Sequence, residues 1–175
     1  MEINLKKEDI VSALNITLGV VEKRQTLPIL ANVLFEVDDN SFKLTATDLE
    51  SEVTTSGSLL SVESVGKITT SAKKLNDLCR LIPDGEEISL SLKSDKLNIK
   101  TKNGKYSLST LPSADFPIFD MDSGDTPLVI PAKDLQELIK NTSFAMGNQD
   151  WRHYLNGLFI SCLLYTSPSP RDLRR

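Results

Sequence analysis

The chain has 175 residues, 39% hydrophobic and 25% charged, with a formal net charge of −4. That length holds one domain of ordinary size and the start of a second, no apolar run approaches the roughly 18 residues that span a bilayer, and MEINLKKEDI lacks the order of a secretory signal, so cytoplasm is the default. An acidic total excludes a protein that coats nucleic acid with its whole surface, and any DNA contact must be confined to one face.

A short alternating strand at Ile3 and Leu5 opens the chain. Ile10, Leu14, Leu18 and Val21 then recur at spacings of four, four and three, the apolar stripe of a helix. Ala31 to Val37 runs into the turn cluster Asp38-Asp39-Asn40-Ser41 before Phe42, Leu44 and Ala46 resume alternation, which predicts a hairpin. Glu50 to Ser56 and a segment around Lys67 to Thr70 read as further strands. Leu75, Leu78, Cys79 and Ile82, at i, i+3, i+4 and i+7, predict a second helix, stopped by Pro83-Asp84-Gly85. Ile88-Leu90-Leu92, Leu97-Ile99 and Tyr106-Leu108 alternate cleanly, with Asn103-Gly104 as a hairpin signal between the last two. The expected class is α+β, two helices packed on about seven strands.

Pro112 to Pro127 has no period, and Met121 to Thr126 reads as a boundary: one domain over 1–122, a linker over 123–128 and a truncated second domain over 129–161. Beyond it the opening pattern returns at an offset of 125 residues, pairing Ile3 with Leu128, Leu5 with Ile130, Ile10 with Leu135, Leu14 with Ile139, Leu30 with Leu155 and Leu34 with Phe159. Faces that stay in step predict a second copy of one domain, with a helix over Lys133 to Ala145 and a strand over Asn156 to Ser161. From Cys162 the string CLLYTSPSPRDLRR loses all period and resembles translated adaptor read-through, so 162–175 reads as a non-native tail. It carries three Arg and one Asp, and without it the charge falls from −4 to −6.

With a single histidine, no Gly-rich phosphate loop, no GxSxG and no HExxH, triads and His-based metal sites lack their parts. Cys79 and Cys162 form no CxxC, and Cys79 reads as a core residue. Asp48, Glu50 and Glu52 are the best enzymatic candidates, because on a strand of period two they share a face and could hold a hard cation such as Mg²⁺. A solvated acidic strand face is the plainer alternative. His153, beside Asp150 and Arg152, reads as an exposed loop residue rather than a general base. Lys73, Asp77 and Arg80 fall on one flank of the second helix with Lys74 beside them, whereas Glu36, Asp38, Asp48, Glu50, Glu52 and Glu63 fall among the strands. Basic helices backed by an acidic sheet suit a DNA-facing layer, since phosphate attraction needs no base readout. Ordinary helix surface charge gives the same pattern.

TLPILAN at Thr26 to Asn32, TATDLESEV at Thr45 to Val53, LSTLPSADFP at Leu108 to Pro117 and QDWRHYLNG at Gln149 to Gly157 together resemble the bacterial sliding clamp family, over residues 1 to about 160. The resemblance implies the DNA-clamp fold, repeated along each chain, with two chains closing head to tail around duplex DNA. Helices then line the hole and sheets form the outer wall. It implies a processivity factor without catalysis or cofactor, which tethers the replicative polymerase and meets the clamp loader and repair proteins through a short peptide. Residue by residue it implies DNA contacts at Arg24, Lys73, Arg80, Gln149, His153 and Tyr154. It implies a partner-peptide groove at Arg152 and Leu155, and a subunit interface at Lys74, Leu78, Ile82 and Tyr106. His153 stands where relatives often carry an aromatic residue, and Asn103 where a basic one can stand. By itself this length of chain is not expected to close a ring. Two other readings remain, a carboxylate-dependent metal enzyme on Asp48, Glu50 and Glu52, and a free-standing DNA-binding module.

Overall fold

Alternation builds the first strand, β1 (Glu2–Lys6), where Ile3 and Leu5 are buried and Glu2 and Lys6 exposed. The chain passes directly into helix α1 (Lys7–Thr17), whose Ile10, Ala13, Leu14 and Thr17 face the core. The computed structural model describes residues 1–21, 27–119, 129–148 and 150–160, and the chain separates into two compact units, Met1–Met121 and Asp122–Arg175. α1 stops at Thr17, short of the Leu18 and Val21 that the apolar spacing included, because the bonds tighten to i→i+3 where Gly19 and Val20 donate to Ile16 and Thr17. Leu18 and Val21 still pack on the core from the turn that follows.

The remaining strands of the first unit are β2 (Asn32–Val37), β3 (Ser41–Thr47), β4 (Glu52–Ser58), β5 (Ser61–Ser64) and β6 (Gly66–Ser71), then, after helix α2 (Ala72–Leu81), β7 (Glu87–Lys93), β8 (Lys96–Lys100) and β9 (Lys105–Leu111). They form one antiparallel sheet in the order β4-β3-β2-β6-β9-β8-β7-β1-β5, nine strands among the described residues against about seven expected. β5 is the strand that alternation missed: Ser-Val-Glu-Ser is short and polar, and it forms by pairing with β1, next to a bond from Leu60 N–H to the Asn4 carbonyl at 2.8 Å. β9 joins two half-sheets. It pairs with β8 from Lys105 to Ser109 but meets β6 only at Thr69–Leu111 and Thr70–Thr110, so the outer edge of Lys105 to Leu108 has no strand partner among the described residues.

The two half-sheets and both helices share one core, with Phe35, Phe42, Leu44, Leu75, Ile88, Leu90, Leu97 and Ile99 fully buried. Phe35 and Phe42 stack with ring centroids 5.3 Å apart, and β4 passes so close that a Cβ on Gly57 would stand 2.4 Å from the Phe42 ring. The start of α1 is latched to the turn after α2. Lys7 is ion-paired with Asp84, Lys7 N–H donates to the Glu86 carbonyl at 3.1 Å, and the Glu8 carboxylate accepts Gly85 N–H at 2.6 Å, a bond that holds the Glu8 carboxyl below its usual range. Gly85 takes φ 79° in this turn, which suits a residue without a Cβ.

In the second unit, α3 (Ala132–Thr142) begins and ends 125 residues after α1, and the 3-10 turn His153–Asn156 stands 125 residues after the turn Pro28–Ala31. One helix and one 3-10 turn thus keep the same spacing in both units. No α3 residue is buried, and Leu138 and Ile139 are 60% and 42% exposed. The helix expected to reach Ala145 gives way to a 3-10 turn at Ser143–Ala145. The strand expected over Asn156 to Ser161 is absent from 156–160, and Ser161 lies outside the described residues. A strand needs a neighbour for its backbone groups, and residues 129–160 hold none among those described. No helix is long and apolar enough to cross a membrane.

Because the Phe42 ring is fully buried beneath Gly57, Gly57→Ala should destabilise the first unit by about 1–3 kcal/mol through overpacking, and Phe42→Leu should restore part of that loss in denaturant melts. An additive double variant would contradict the contact. Burial pushes the Cys79 thiol up to about 12, so its alkylation near pH 8 should be slow in the native chain and fast in denaturant. As the ordinary thiol value is about 8.5, the neutral thiol's contribution to stability should decline as pH rises above that value. Ready native labelling of Cys79 would show that the α2 face is open.

Candidate DNA, partner and subunit surfaces

α2 turns Ala72, Leu75, Asn76 and Cys79 inward and leaves Lys73, Lys74, Asp77 and Arg80 exposed, because apolar residues at three-and-four spacing fix which flank meets water. Arg80 Nη2 donates to Asn15 Oδ1 at 2.9 Å and ties α2 to α1. Around that bond α1 presents Ser12, Asn15 and Ile16, none of them acidic. Lys73 and Lys74 have no ion-pair partner among the described residues. The exposed flank of α2 is therefore cationic, with Asp77 its one opposing charge. Arg24, expected just before TLPIL, lies outside the described residues.

The expectation of an acidic sheet holds for one half of it. Glu36, Asp38, Asp48, Glu50 and Glu52 cluster on β2, β3, β4 and their turns, where Glu36 pairs with Lys67 and Asp38 with Lys43. The other half is mixed, with Glu2 on β1, Glu63 on β5 and Glu87 on β7 as well as lysines on β7, β8 and β9. Register sets Lys93 opposite Lys96 and Lys100 opposite Lys105, with Lys102 in the turn between β8 and β9. Cross-strand partners share a face, so these lysines gather on the side turned away from buried Leu97 and Ile99.

The carboxylate triplet is also corrected. Asp48 and Glu50 lie in a turn, with Leu49 at φ 75°, and β4 begins only at Glu52. The Asp48 carboxylate accepts the backbone N–H of Glu50 at 2.9 Å and of Ser51 at 2.6 Å, as aspartate does in such turns. Glu52 accepts Phe119 N–H at 2.9 Å. The three do not line one strand face, and no group of three metal-ligating side chains is assembled among the described residues.

Along the unpaired edge of β9 runs a groove lined by Pro28, Asn32, Ser71 and Lys74 together with Ser107 to Leu111. Of the apolar interface candidates, Tyr106 is 37% exposed and its ring lies over Gly104, while Leu78 is half-buried. Ile82 is only 4% exposed and belongs to the core.

In the second unit the loop after Gln149 is knotted by short-range bonds. Asp150 N–H donates to Asn156 Oδ1 and Asn156 Nδ2 returns to the Asp150 carbonyl, both at 2.9 Å. Leu155 N–H donates to the Arg152 carbonyl, and Gly147 N–H to that of Leu155. Arg152 grips the Asp150 carboxylate with Nε and Nη2, each at 3.1 Å, which holds the Asp150 carboxyl below its usual range. His153 and Tyr154 are exposed, Leu155 is half-buried, and Gln149 lies outside the described residues. An apolar groove of Ile130, Leu135, Leu138, Ile139, Leu158 and Phe159 stands beside α3. The residue that motif reading passed over is Trp151, 83% exposed with the Arg152 guanidinium 5.7 Å from its ring centroid. Its signal was a lone tryptophan beside an arginine in a turn.

The first unit thus combines two helices on a continuous antiparallel sheet, a cationic helix flank and an open strand edge, and the spacing of its first helix and 3-10 turn recurs 125 residues on. The family description "DNA polymerase III beta subunit, N-terminal domain" matches residues 1–120. The chain therefore belongs to the DNA polymerase III beta subunit family. It is 39% identical over 160 residues to the beta sliding clamp of Pseudomonas aeruginosa, covering 91% of this chain and 44% of that protein. With that of Escherichia coli it is 37% identical over the same length and coverage. The solved P. aeruginosa polymerase III subunit beta superposes with a TM-score of 0.85 at 39% identity, covering 90% of this chain and 43% of that one. Caulobacter crescentus pol III beta does so with 0.85 at 32%, covering 90% and 42%. The chain spans less than half the length of the relatives it matches.

The Asp150 carboxyl, held low by Arg152, should titrate by NMR with a midpoint below the ordinary aspartate value of about 3.9. Since the lowered pKa belongs to the folded loop, the pair's contribution should be complete above that ordinary value and vanish as pH falls through the lowered one. Arg152→Ala should move the midpoint upward, and an unmoved midpoint would show that the guanidinium does not grip it.

Proposed function

We propose that this chain supplies the first domain and the opening of the second in a ring-forming sliding clamp, a non-catalytic processivity factor of the bacterial cytoplasm. The observation that carries the reading is the recurrence of the α1 frame 125 residues on. A chain that repeats one helix-on-sheet unit can curve into a closed ring with helices on the inside, and the relatives that share this frame are named beta sliding clamps. The proposed layout is domain one over 1–122, a linker over 123–128, the start of domain two over 129–161 and a non-native tail over 162–175.

Arg24, Lys73, Arg80, Gln149, His153 and Tyr154 then meet duplex DNA, chiefly through phosphates. Such contacts hold register without reading sequence, so the ring slides. Arg152 and Leu155 form part of a groove for a short peptide of the polymerase, clamp loader or repair proteins, and tethering raises the polymerase's effective concentration. The subunit interface follows from the open β9 edge. Lys74 lines the groove along it, Tyr106 stands on β9 itself and Lys105 adds positive charge at its start, while Leu78 and Ile82 are proposed to join from the end of α2. A partner surface with a free strand edge and carboxylates would complete the sheet and neutralise the lysines.

A chimera in which residues 1–160 of this chain replace the matching 160 of the P. aeruginosa clamp tests the reading. Loaded on nicked circular DNA, it should stay bound until the circle is cut and then run off the ends. Equal retention on linear and circular DNA would make it a simple DNA-binding module. In the same chimera Arg24→Ala should weaken DNA association uniformly across sequences and lower the salt slope by about one unit; a sequence-selective loss would contradict a phosphate contact.

A further inference from the structure

We propose that Asn103 is a site of spontaneous covalent modification, losing its side-chain amide to attack by the backbone nitrogen of Gly104 and leaving an aspartate or isoaspartate in its place. The chain holds two Asn-Gly pairs, Asn103-Gly104 and Asn156-Gly157, and a glycine after asparagine leaves the attacking nitrogen least hindered, since no Cβ stands beside it. Folding separates the two. Asn103 is exposed in the connection between β8 and β9, and among the described residues its side chain makes one contact, Nδ2 to Glu86 Oε1 at 3.5 Å, the outer limit of a hydrogen bond. Gly104 N–H donates to the Thr101 hydroxyl at 3.1 Å, outside any strand ladder. The Tyr106 hydroxyl would stand 3.0 Å from a Cβ on Gly104, so the ring disfavours a larger residue there. Asn156 is the opposite case. Its Oδ1 accepts Asp150 N–H and its Nδ2 donates to the Asp150 carbonyl, both at 2.9 Å, so its amide must break two bonds before it can turn toward the Gly157 nitrogen.

Water is the only co-reactant. The Gly104 nitrogen, its proton taken by hydroxide, bonds to Asn103 Cγ; the Cγ–Nδ2 bond breaks, ammonia leaves, and a five-membered succinimide closes. Water then opens that ring. Attack at Cγ restores the ordinary peptide with an aspartate side chain, and attack at the main-chain carbonyl leaves an isoaspartyl linkage. Either way a neutral amide becomes a carboxylate, and its charge lands beside Glu86. The Glu86 Oε2 is buried without a hydrogen-bond partner among the described residues, and Oε1 faces the amide that is lost. A donor is thus replaced by a like charge, which costs stability. The exposed Lys102 and Lys105 temper the repulsion, so the loss is modest. Glu86 belongs to the turn that latches the start of α1, where its carbonyl accepts Lys7 N–H at 3.1 Å. Modification of Asn103 therefore loosens that latch from outside the core.

Peptide mapping by mass spectrometry, on the 175-residue chain held warm at mildly alkaline pH, reads each asparagine separately. In the native chain Asn103 should show the mass gain of an amide turned acid nearly as fast as in the same chain unfolded in guanidinium, with isoaspartate among the products. Asn156 should react many-fold more slowly native than unfolded. Conversion of Asn103 only in the unfolded chain, or native conversion of Asn156 that keeps pace with it, would overturn the proposal. The consequence is read in thermal melts. Asn103→Asp should lower the melting temperature of the first unit by a few degrees, and the same substitution made on a Glu86→Gln background should lower it by less. An equal loss on both backgrounds would show that the new charge does not act on Glu86 and would overturn the effect on the latch.

Discussion

The fold of the first unit turns on one strand. β9 continues the ladder of β8 along most of its length yet touches β6 only through Thr69–Leu111 and Thr70–Thr110. Those two pairs join the halves of the sheet into a single surface for α1 and α2 to cover. The same geometry leaves Lys105 to Leu108 with an open edge. An exposed edge is normally a liability that proteins blunt with charge or cover with another element. Here Lys105 stands at its start and Lys74 lines the groove beside it, charges that discourage indiscriminate pairing.

Much of this was legible in the sequence because burial imposes a period. The three-and-four spacing of Leu75, Leu78, Cys79 and Ile82 and the alternation of Ile88, Leu90 and Leu92 are direct records of which side chains meet the core. Elements held by pairing alone left weaker records. β5 has one apolar residue and exists because β1 offers it an edge. Asn103-Gly104, the strongest hairpin dipeptide, sits in a longer connection, Thr101 to Gly104, whereas the tight turn with two positive φ angles is made by Ser94 and Asp95.

Charge was harder to read, because its meaning depends on register. Lys93, Lys96, Lys100 and Lys105 are spread over three strands and become one patch only when the ladder sets them opposite each other. The carboxylates of Asp48, Glu50 and Glu52 show the reverse. Their alternate numbering suggested a shared face, and a turn at Leu49 sends them different ways. For the candidate sites, motif resemblance located the loop 150–156, but the bonds that stiffen it and the indole it displays emerged only from its folded geometry.

The central claim is that this domain is one segment of a closed ring whose joint lies at the β9 edge. Residue-resolved amide exchange on the chimera with the P. aeruginosa clamp tests it most directly. At concentrations where the chimera is dimeric, the outward-facing amides between Lys105 and Leu108 should be protected, and dilution below the dimer's dissociation constant should release them while the amides bonded to β8 stay protected. Fast exchange at that edge in a stable dimer would place the joint elsewhere and contradict the account.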